Sequence, residues 1–214
     1  MSIAADIIRA LIKSPALIGF KAHAGMTARR EPNGNELAIF LHERPWSTVE
    51  SSDLEMTFGV RSAKLAQFDR DILRIPQPRL PRLGRMHYER SLGWLLRGEE
   101  PRYGGAQSPA AIAEQMLPVV VSRVLPHLEA HATDEAIASA LYASSPLDRQ
   151  PLHELLRLQY LLDTSGDARA KAVSEALARP DRGAVRSSPI VEAVTAEIER
   201  RTGAVAVNAS KFRR

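Results

Sequence analysis

The chain lacks cysteine altogether and is poor in aromatic side chains, which make up 5% of its 214 residues. Without cysteine it can form no disulfide, no thiolate zinc site and no cysteine nucleophile, and this composition fits a reducing compartment. Because aromatic rings are few, aliphatic side chains must supply most of the buried area. Hydrophobic residues at 44% and charged residues at 25% are typical of a globular protein with a core.

Long apolar runs are also missing, so no segment is expected to cross a bilayer. The N-terminal segment is apolar, but Asp6, Arg9 and Lys13 interrupt it, which does not fit a secretory signal. We therefore expect a cytoplasmic protein without membrane contact. The apolar residues of this segment recur at helical spacing and predict an amphipathic helix. They are Ile3, Ile7, Ile8, Leu11 and Ile12.

The motifs of several common enzyme classes are absent from the sequence. It contains no phosphate-binding loop of the G-x-x-x-x-G-K-[ST] or G-x-G-x-x-G type and no G-x-S-x-G nucleophile elbow. "HELLR" begins like a zinc-protease helix, but Arg157 stands where the second histidine ligand would be needed. The sequence therefore indicates no cofactor and no metal, and it leaves the oligomeric state open.

Alternation of apolar and polar residues predicts β-strands in the first half of the chain. Asn33-Gly34 favours a tight hairpin turn between the first two strands. In the last predicted strand, Met86, Tyr88, Leu92 and Trp94 share one side, and Arg90 breaks the pattern; Trp94 is expected in the core. The predicted strands lie in "FKAHAGMTARRE" (20–31), "ELAIFLH" (36–42), "DLEMTFGVR" (53–61) and "MHYERSLGWLL" (86–96).

From Ser108 onward the apolar spacing changes to three and four residues, which predicts helices. Pro118 is expected to kink the first of them or to delay its start. The helices are predicted near 109–128, 133–143, 150–163, 167–179 and 188–201.

The predicted fold is therefore α+β: an N-terminal helix, an antiparallel meander sheet of three or four strands with one face covered, and a C-terminal helical region. Three regions follow from this pattern. They are an α+β sheet domain at 1–130, a helical region at 131–202 that packs on it or is appended to it, and a basic, loosely ordered tail at 203–214.

The segment "RIPQPRLPRLGR" (74–85) combines four arginines with three prolines and contains no acid, in a chain of formal net charge +4. One interpretation is a stiff connector, in which Leu80 and Leu83 dock on the body and the arginines point to water. The other is a loop that binds a polyanion. In either case its candidate binding residues are Arg79, Arg82 and Arg85.

A polar face of the sheet is the place where chemistry could occur. With a two-residue hairpin turn, His23 would lie near Glu43 and Arg44, and His42 near Gly25. His23, His42 and Glu43 could then supply a base and an orienting carboxylate, and His87 with Glu89 could join them. The alternative is that these residues form the solvated side of a one-sided sheet.

Arg44 and Trp46 are further binding candidates, because Trp46 lies in a polar loop beside Pro45. An aromatic side chain in such a loop can serve as an anchor for a protein partner. It can equally pack back over the edge of the sheet.

Several segments, in order, resemble an uncharacterised bacterial family, the domain of unknown function 4304. They are Gly19-Phe20 at the first strand, Trp46-Ser47 before an amphiphilic strand, Arg90-Ser91-Leu92-Gly93, and Leu125-Pro126-His127-Leu128 in a helix. The resemblance covers roughly residues 1–130. "EPRYGG" departs from it, since Tyr103 stands where family members often have paired tryptophans. The resemblance implies a fold and carries no catalytic residues.

Three functional hypotheses remain open at this point. The first is a non-enzymatic cytoplasmic module, of accessory or immunity type, that binds another protein through the exposed sheet face and the loops 43–52 and 74–85. The second is a hydrolase with a His/Glu site on that face. The third is binding of nucleic acid or another polyanion by the arginine-rich loop.

Overall fold

The structure is a computed structural model of the chain, and it describes residues 2–43, 54–73, 78–82, 85–98, 103, 107–162 and 168–177. The chain divides into two compact units. The first joins Met1–Ala63 to Pro78–Ile137, and the second joins Lys64–Gln77 to Ala138–Arg214. The second unit thus includes a short segment from the first half of the chain. No change in amino-acid composition marks the ends of this segment. The predicted helix at 188–201 and the tail at 203–214 lie outside the described residues.

Within the described part, one helix precedes four successive strands, a second helix separates these from the fifth strand, and further helices then follow one another. The strands are β1 Lys21–His23, β2 Met26–Arg30, β3 Glu36–Glu43, β4 Leu54–Arg61 and β5 Tyr88–Ser91. The helices are α1 Ile3–Leu11, α2 Ala63–Asp71, α3 Leu92–Leu95, α4 Pro109–Val119, α5 Leu125–Ala130, α6 Asp134–Ser144, α7 Leu152–Leu161 and α8 Ala168–Leu177. A 3-10 turn spans Pro15–Leu17 and a π-helical turn spans Val120–Val124.

The α+β prediction is confirmed, with an antiparallel sheet in the order β1-β2-β3-β4-β5. The described sheet has five strands, so the predicted count of three or four is wrong. The reason is a turn at Ala24-Gly25 that splits the first predicted strand, with Gly25 at φ 73°. His23 consequently pairs with Met26 across that turn.

The hairpin between β2 and β3 has a longer loop than a two-residue turn. The amide of Glu31 donates to the carbonyl of Asn35 at 2.8 Å, and Met26 lies opposite Phe40. This register is shifted by one residue from the predicted one, and a shift of one residue moves side chains to the other face. Leu41, and not His42, therefore bonds Gly25, through its amide at 2.8 Å.

Helices cover one face of the sheet. Its central side chains include Leu37, Ile39, Phe58 and Val60, all at most 1% exposed. Helix α1 packs against β3 and α4, and α5 packs against β4. The N-terminal helix is confirmed, and its buried residues Ala4, Ile7, Ile8 and Leu11 follow the predicted stripe.

The opposite face is polar at its margins and apolar at its centre. Met26, Ala38 and Phe40 form a buried cluster there, and Met86, directly after the connector, packs against it. Arg61 Nη1 donates to the carbonyl of Pro78 at 2.8 Å and fixes the start of the connector. The connector therefore closes part of this face.

Within the connector, the arginines and the leucine behave differently from each other. Arg79, Arg82 and Arg85 are exposed, as a connector predicts. Pro81 is buried, whereas Leu80 is 44% exposed, so the expected docking of Leu80 is wrong. Leu83 lies outside the described residues.

Strand β5 ends early because Ser91 caps a helix. The Ser91 hydroxyl accepts from the amide of Trp94 at 3.1 Å, which satisfies a free donor at the start of α3. The alternation that placed Trp94 in the core therefore stops at Ser91, and Trp94 is 53% exposed. Its predicted burial is wrong.

The helical run from α4 to α5 widens into the π-helical turn between two prolines. The amide of Leu125 bonds the carbonyl of Val120, five residues back, instead of four. Pro126 has no amide hydrogen and its ring crowds the carbonyl four residues earlier, so a regular turn is disfavoured there. The chain passes Pro118 without ending α4, whose range is Pro109–Val119.

In the second unit, α2 buries Leu65, Phe68 and Asp69. Phe68 packs on Tyr160 of α7, with ring centroids 4.2 Å apart. Helix α7 packs against α8. Helix α2 itself was not expected, since only Leu65 and Phe68 mark its apolar side within nine residues.

Candidate functional site

The structure distributes the predicted His/Glu residues over different places. Glu43 accepts a hydrogen bond from Ser2 Oγ at 2.8 Å, near the start of α1. His42 is its strand neighbour and therefore points to the other face. His23 lies on β1 beside Met26. His87 is 7% exposed, and its Nδ1 accepts from the amide of Ser62 at 3.0 Å.

His42 keeps polar neighbours on the partly closed face. Its Nε2 lies 3.3 Å from Oγ1 of Thr57, and its ring stacks on Phe40. Burial lowers the pKa of His42, and the charges of Glu55 and Glu89 act in the opposite direction. The arrangement provides a base beside carboxylates, but the hydroxyl next to it belongs to Thr57, which is 8% exposed. A substrate would have little access to that hydroxyl.

The predicted binding residues are only partly described. Arg44 and Trp46 lie outside the described residues. Arg79, Arg82 and Arg85 are exposed on the connector. Within the part of the chain that the structure describes, none of these three arginines forms an ion pair.

A different group of side chains converges on the helix-bearing side of the sheet. We call Tyr88, Arg90, Trp94, His127 and His131 the Arg90 cluster. Strand β5 supplies the first two, the short helix α3 supplies Trp94, and His127 and His131 lie in and directly after α5. The π-helical turn just before α5 closes its hydrogen bond over five residues instead of four, which changes the rotation of the helix that follows.

Tyr88 and the two histidines form the inner part of the Arg90 cluster. The Tyr88 hydroxyl lies 2.7 Å from Nε2 of His127, and the Tyr88 ring stacks on His131 at 4.3 Å between centroids. Nδ1 of His131 donates to the carbonyl of His127 at 2.8 Å. The ring of Phe58, on β4, contacts the His127 ring edge-on, with 5.6 Å between the ring centroids.

Arg90 and Trp94 form the outer part. The guanidinium carbon of Arg90 lies 4.6 Å from the Tyr88 ring centroid and 4.9 Å from that of Trp94. Such cation–π contacts stabilise a guanidinium that is partly withdrawn from water. The Trp94 ring also contacts His127 edge-on at 5.7 Å. Arg90 is thus held by aromatic faces.

Burial decides the charge state of the inner groups. Burial, as the largest cause, and the positive charges of His131 and Arg90 together lower the pKa of His127 to about 4. Burial also raises the pKa of Tyr88, against the effect of Arg90. The 2.7 Å contact therefore joins a neutral phenol to a neutral imidazole at pH 7, which leaves Arg90 as the permanent charge.

The chemistry open to the Arg90 cluster is recognition. Tyr88 is 4% exposed and keeps its proton, so it is poorly placed to attack a substrate. Trp94, in contrast, exposes half of its surface in a fixed orientation. Side chains of Trp, Tyr and Arg dominate the energetics of protein–protein contacts.

Sequence reasoning did not select the Arg90 cluster, although one signal was present. Arg90 broke the apolar alternation of the predicted fourth strand, and such local inconsistencies are expected at functional sites. Arg90 and His127 also belong to two of the four segments that carried the family resemblance. Their meeting in space depends on α5 packing against β4, which no local pattern encodes.

Among the described residues, the structure holds no group of three or more His, Asp or Glu side chains suited to a metal ion. In the same residues, every helix is too short or too polar to cross a membrane. No family model, no curated protein and no solved structure matches the chain. The resemblance to the domain of unknown function 4304 therefore stays a prediction.

Proposed function

We propose that the chain is a non-enzymatic protein-interaction module of the cytoplasm, with Trp94 at the centre of its contact surface. The observation that carries this proposal is the 53% exposure of Trp94, on a ring already fixed by Arg90 and His127. An aromatic side chain that is rigid before binding loses little conformational entropy when a partner covers it. This favours Trp94 over the loop residues first considered.

The surroundings of Trp94 support a contact surface larger than one residue. Helix α3, which carries Trp94, packs against the π-helical turn, and Val121 of that turn is 39% exposed. Arg90 lies beside the Trp94 ring. Apolar and aromatic groups at the centre with charged groups around them are typical of protein interfaces.

A photo-reactive residue introduced at Val121 tests this proposal in cells of the source organism, because it leaves Trp94 intact. We expect it to cross-link one major protein in the otherwise native chain and to lose that product in a Trp94→Ala background. The same photo-reactive residue at Ile18, which is 75% exposed, is the matched control. Equal cross-linking from both positions, or the same product with and without Trp94, would refute the proposal.

A second candidate is polyanion binding by the connector. The arginines at 79, 82 and 85 favour it, because they are exposed and form no ion pair with any described residue. Each arginine that contacts a phosphate releases about one counterion, so affinity for single-stranded DNA must fall steeply with salt. The slope of log affinity against log salt concentration counts the released counterions. Changing the three arginines to Gln should lower that number by about two to three. A flat salt response of the native chain excludes this candidate.

A further inference from the structure

The surface around Trp94 carries positive charge that the described residues do not neutralise. Arg97 follows at the end of α3, and Arg123 lies one helical turn before His127; both are exposed. Neither these two nor Arg90 forms an ion pair with any residue that the structure describes. Among the described residues, these three arginines therefore bring positive charge to the elements around Trp94.

Two described acids near the Arg90 cluster in sequence, Glu89 and Glu129, are directed elsewhere, while Glu99 and Glu100, which follow Arg97, lie outside the described residues. Glu89 neighbours Arg90 on β5, but its negative charge favours the protonated form of His42, which lies on the opposite face of the sheet from Arg90. Glu129 follows His127 by two residues, but Oε1 of Glu129 accepts from Arg29 at 3.1 Å. The fold thus separates both acids from the Arg90 cluster.

Arg90 is prepared to receive an anion. Its Nη1 donates to the carbonyl of Glu89 at 2.8 Å, which fixes one end of the guanidinium. Its Nε is buried and has no hydrogen-bond partner among the described residues. Buried donors of this kind are rare in folded proteins, and each one calls for an explanation, of which a ligand absent from the structure is one.

We infer that the partner presents an acidic segment, whose side-chain carboxylate accepts from the guanidinium of Arg90 while an adjacent apolar side chain covers Trp94. This inference rests on the proposed function and specifies the chemistry of the partner. A carboxylate matches the fork of donors on a guanidinium and forms charge-assisted hydrogen bonds with it. Arg97 and Arg123 supply further attraction for neighbouring acids of the same segment.

Three probes of similar length distinguish a carboxylate from other ligands. They are an eight-residue peptide that alternates Glu with Phe, the same peptide with Gln in place of Glu, and a ten-nucleotide single-stranded DNA. Binding is followed by the Nε–Hε resonance of Arg90 in NMR and by titration at one fixed, low salt concentration. We expect the Glu peptide to shift that resonance and to bind at least about tenfold tighter than the Gln peptide.

Variants of Arg90 assign the preference to its guanidinium. Arg90→Gln should abolish the difference between the two peptides, and Arg90→Lys should retain only part of it, because an ammonium lacks the planar fork. Arg30→Gln is the matched control, since Arg30 is an exposed arginine on β2 and its replacement removes the same charge. We expect this control to bind both peptides like the native chain.

Equal affinity for the Glu and Gln peptides overturns the inference, and so does a tighter complex with the DNA. An unshifted Arg90 resonance, or an Arg30 variant as defective as the Arg90 variant, overturns it as well. If these results accompany a Trp94-dependent cross-link from Val121, the module binds a protein by other chemistry and only the inference fails. If that cross-link is also missing, the proposed function fails with it.

Discussion

The hydroxyl of Tyr88 lies 2.7 Å from Nε2 of His127 and joins the edge strand of the sheet to the helix that covers it. Tyr88 lies opposite Val60 on β4, while His127 belongs to α5. The ring of His131 stacks on the ring of Tyr88, and the guanidinium of Arg90 lies over the same Tyr88 ring. A change in the charge of His127 should therefore affect both the stability of the domain and the Arg90 cluster.

We expect His127 to titrate near pH 4 when its imidazole is followed by NMR. Burial disfavours its charged form, and His131 and Arg90 add repulsion from their positive charges. Tyr88 and Trp94, which also contact the ring, bring no negative charge that would favour protonation. A titration midpoint at or above the usual 6.5 of a free histidine would contradict this assignment.

The same shift predicts a loss of stability in acid. The unfolded chain protonates His127 near pH 6.5 and the folded chain only near pH 4, so the unfolded state binds more protons between these values. The contribution of neutral His127 is complete above pH 6.5 and is lost as the pH falls toward 4. Urea midpoints measured from pH 7 to pH 4 should fall more steeply for the native chain than for His127→Gln. Equal slopes would show that other groups cause the acid sensitivity.

Trp94→Ala should leave the domain folded and stable while it removes partner binding. The ring is 53% exposed, so its loss costs mainly the contacts with Arg90 and His127, about 1 kcal/mol or less. Phe58→Ala, at a fully buried ring of β4, should cost about 3–5 kcal/mol. Urea unfolding of the two variants checks this. A loss at Trp94 comparable to that at Phe58 would assign Trp94 to the core after all.

The sequence predicted those elements whose pattern is local and uninterrupted. Helix α1 and strand β4 were predicted from spacing alone, and both elements appear where expected, although residues 56–60 of β4 are all buried instead of alternating. Two errors came from single residues that redirect the chain. Gly25 turns β1 into β2 at a positive φ, and Ser91 caps α3 and ends β5. Both residues were visible in the sequence, but alternation on either side of them continued and concealed the turn.

The site was harder to predict because it is made of distant segments. His42 and Glu43 are adjacent in sequence, yet the pleat of β3 places them on opposite faces. Arg90 and His127 are far apart in sequence, yet both contact the Tyr88 ring. These side chains come together because of how the helices pack and of the rotation that the π-helical turn imposes. Local residue spacing predicts neither the packing nor the rotation.

Gly59 should tolerate no side chain, because β4 and β5 approach each other closely there. A Cβ at Gly59 would collide with the backbone carbonyl of Tyr88, and backbone cannot move aside cheaply. We expect Gly59→Ala to cost more than about 2 kcal/mol of unfolding free energy and to disturb Tyr88 resonances in NMR. Gly98→Ala is the comparison: it meets nothing within 4 Å, so only its φ of +96° costs energy, about 1–2 kcal/mol. A Gly59 variant as stable as the native chain would mean that β5 is not paired as described.

In the second unit, a buried ion pair connects α2 to α7. Arg157 donates from Nε to Oδ1 of Asp69 at 2.8 Å and from Nη2 to Oδ2 at 2.6 Å, and the Asp69 side chain is 2% exposed. Arg157→Met should destabilise this unit by about 3–5 kcal/mol, since it leaves a carboxylate buried without its cation. The double variant Asp69→Leu/Arg157→Met should lose less than Arg157→Met alone, because no unpaired charge remains.

The exposed pair of Lys171 and Glu175 on α8 is the control for that prediction. Their side chains are 82% and 69% exposed and lie 4.0 Å apart, so Lys171→Gln should change the unfolding free energy by no more than about 0.5 kcal/mol. All three variants are compared by urea unfolding at one pH and salt concentration. If Arg157→Met is as mild as Lys171→Gln, water must reach Asp69, and the packing of α2 on α7 is looser than the contact between Phe68 and Tyr160 implies.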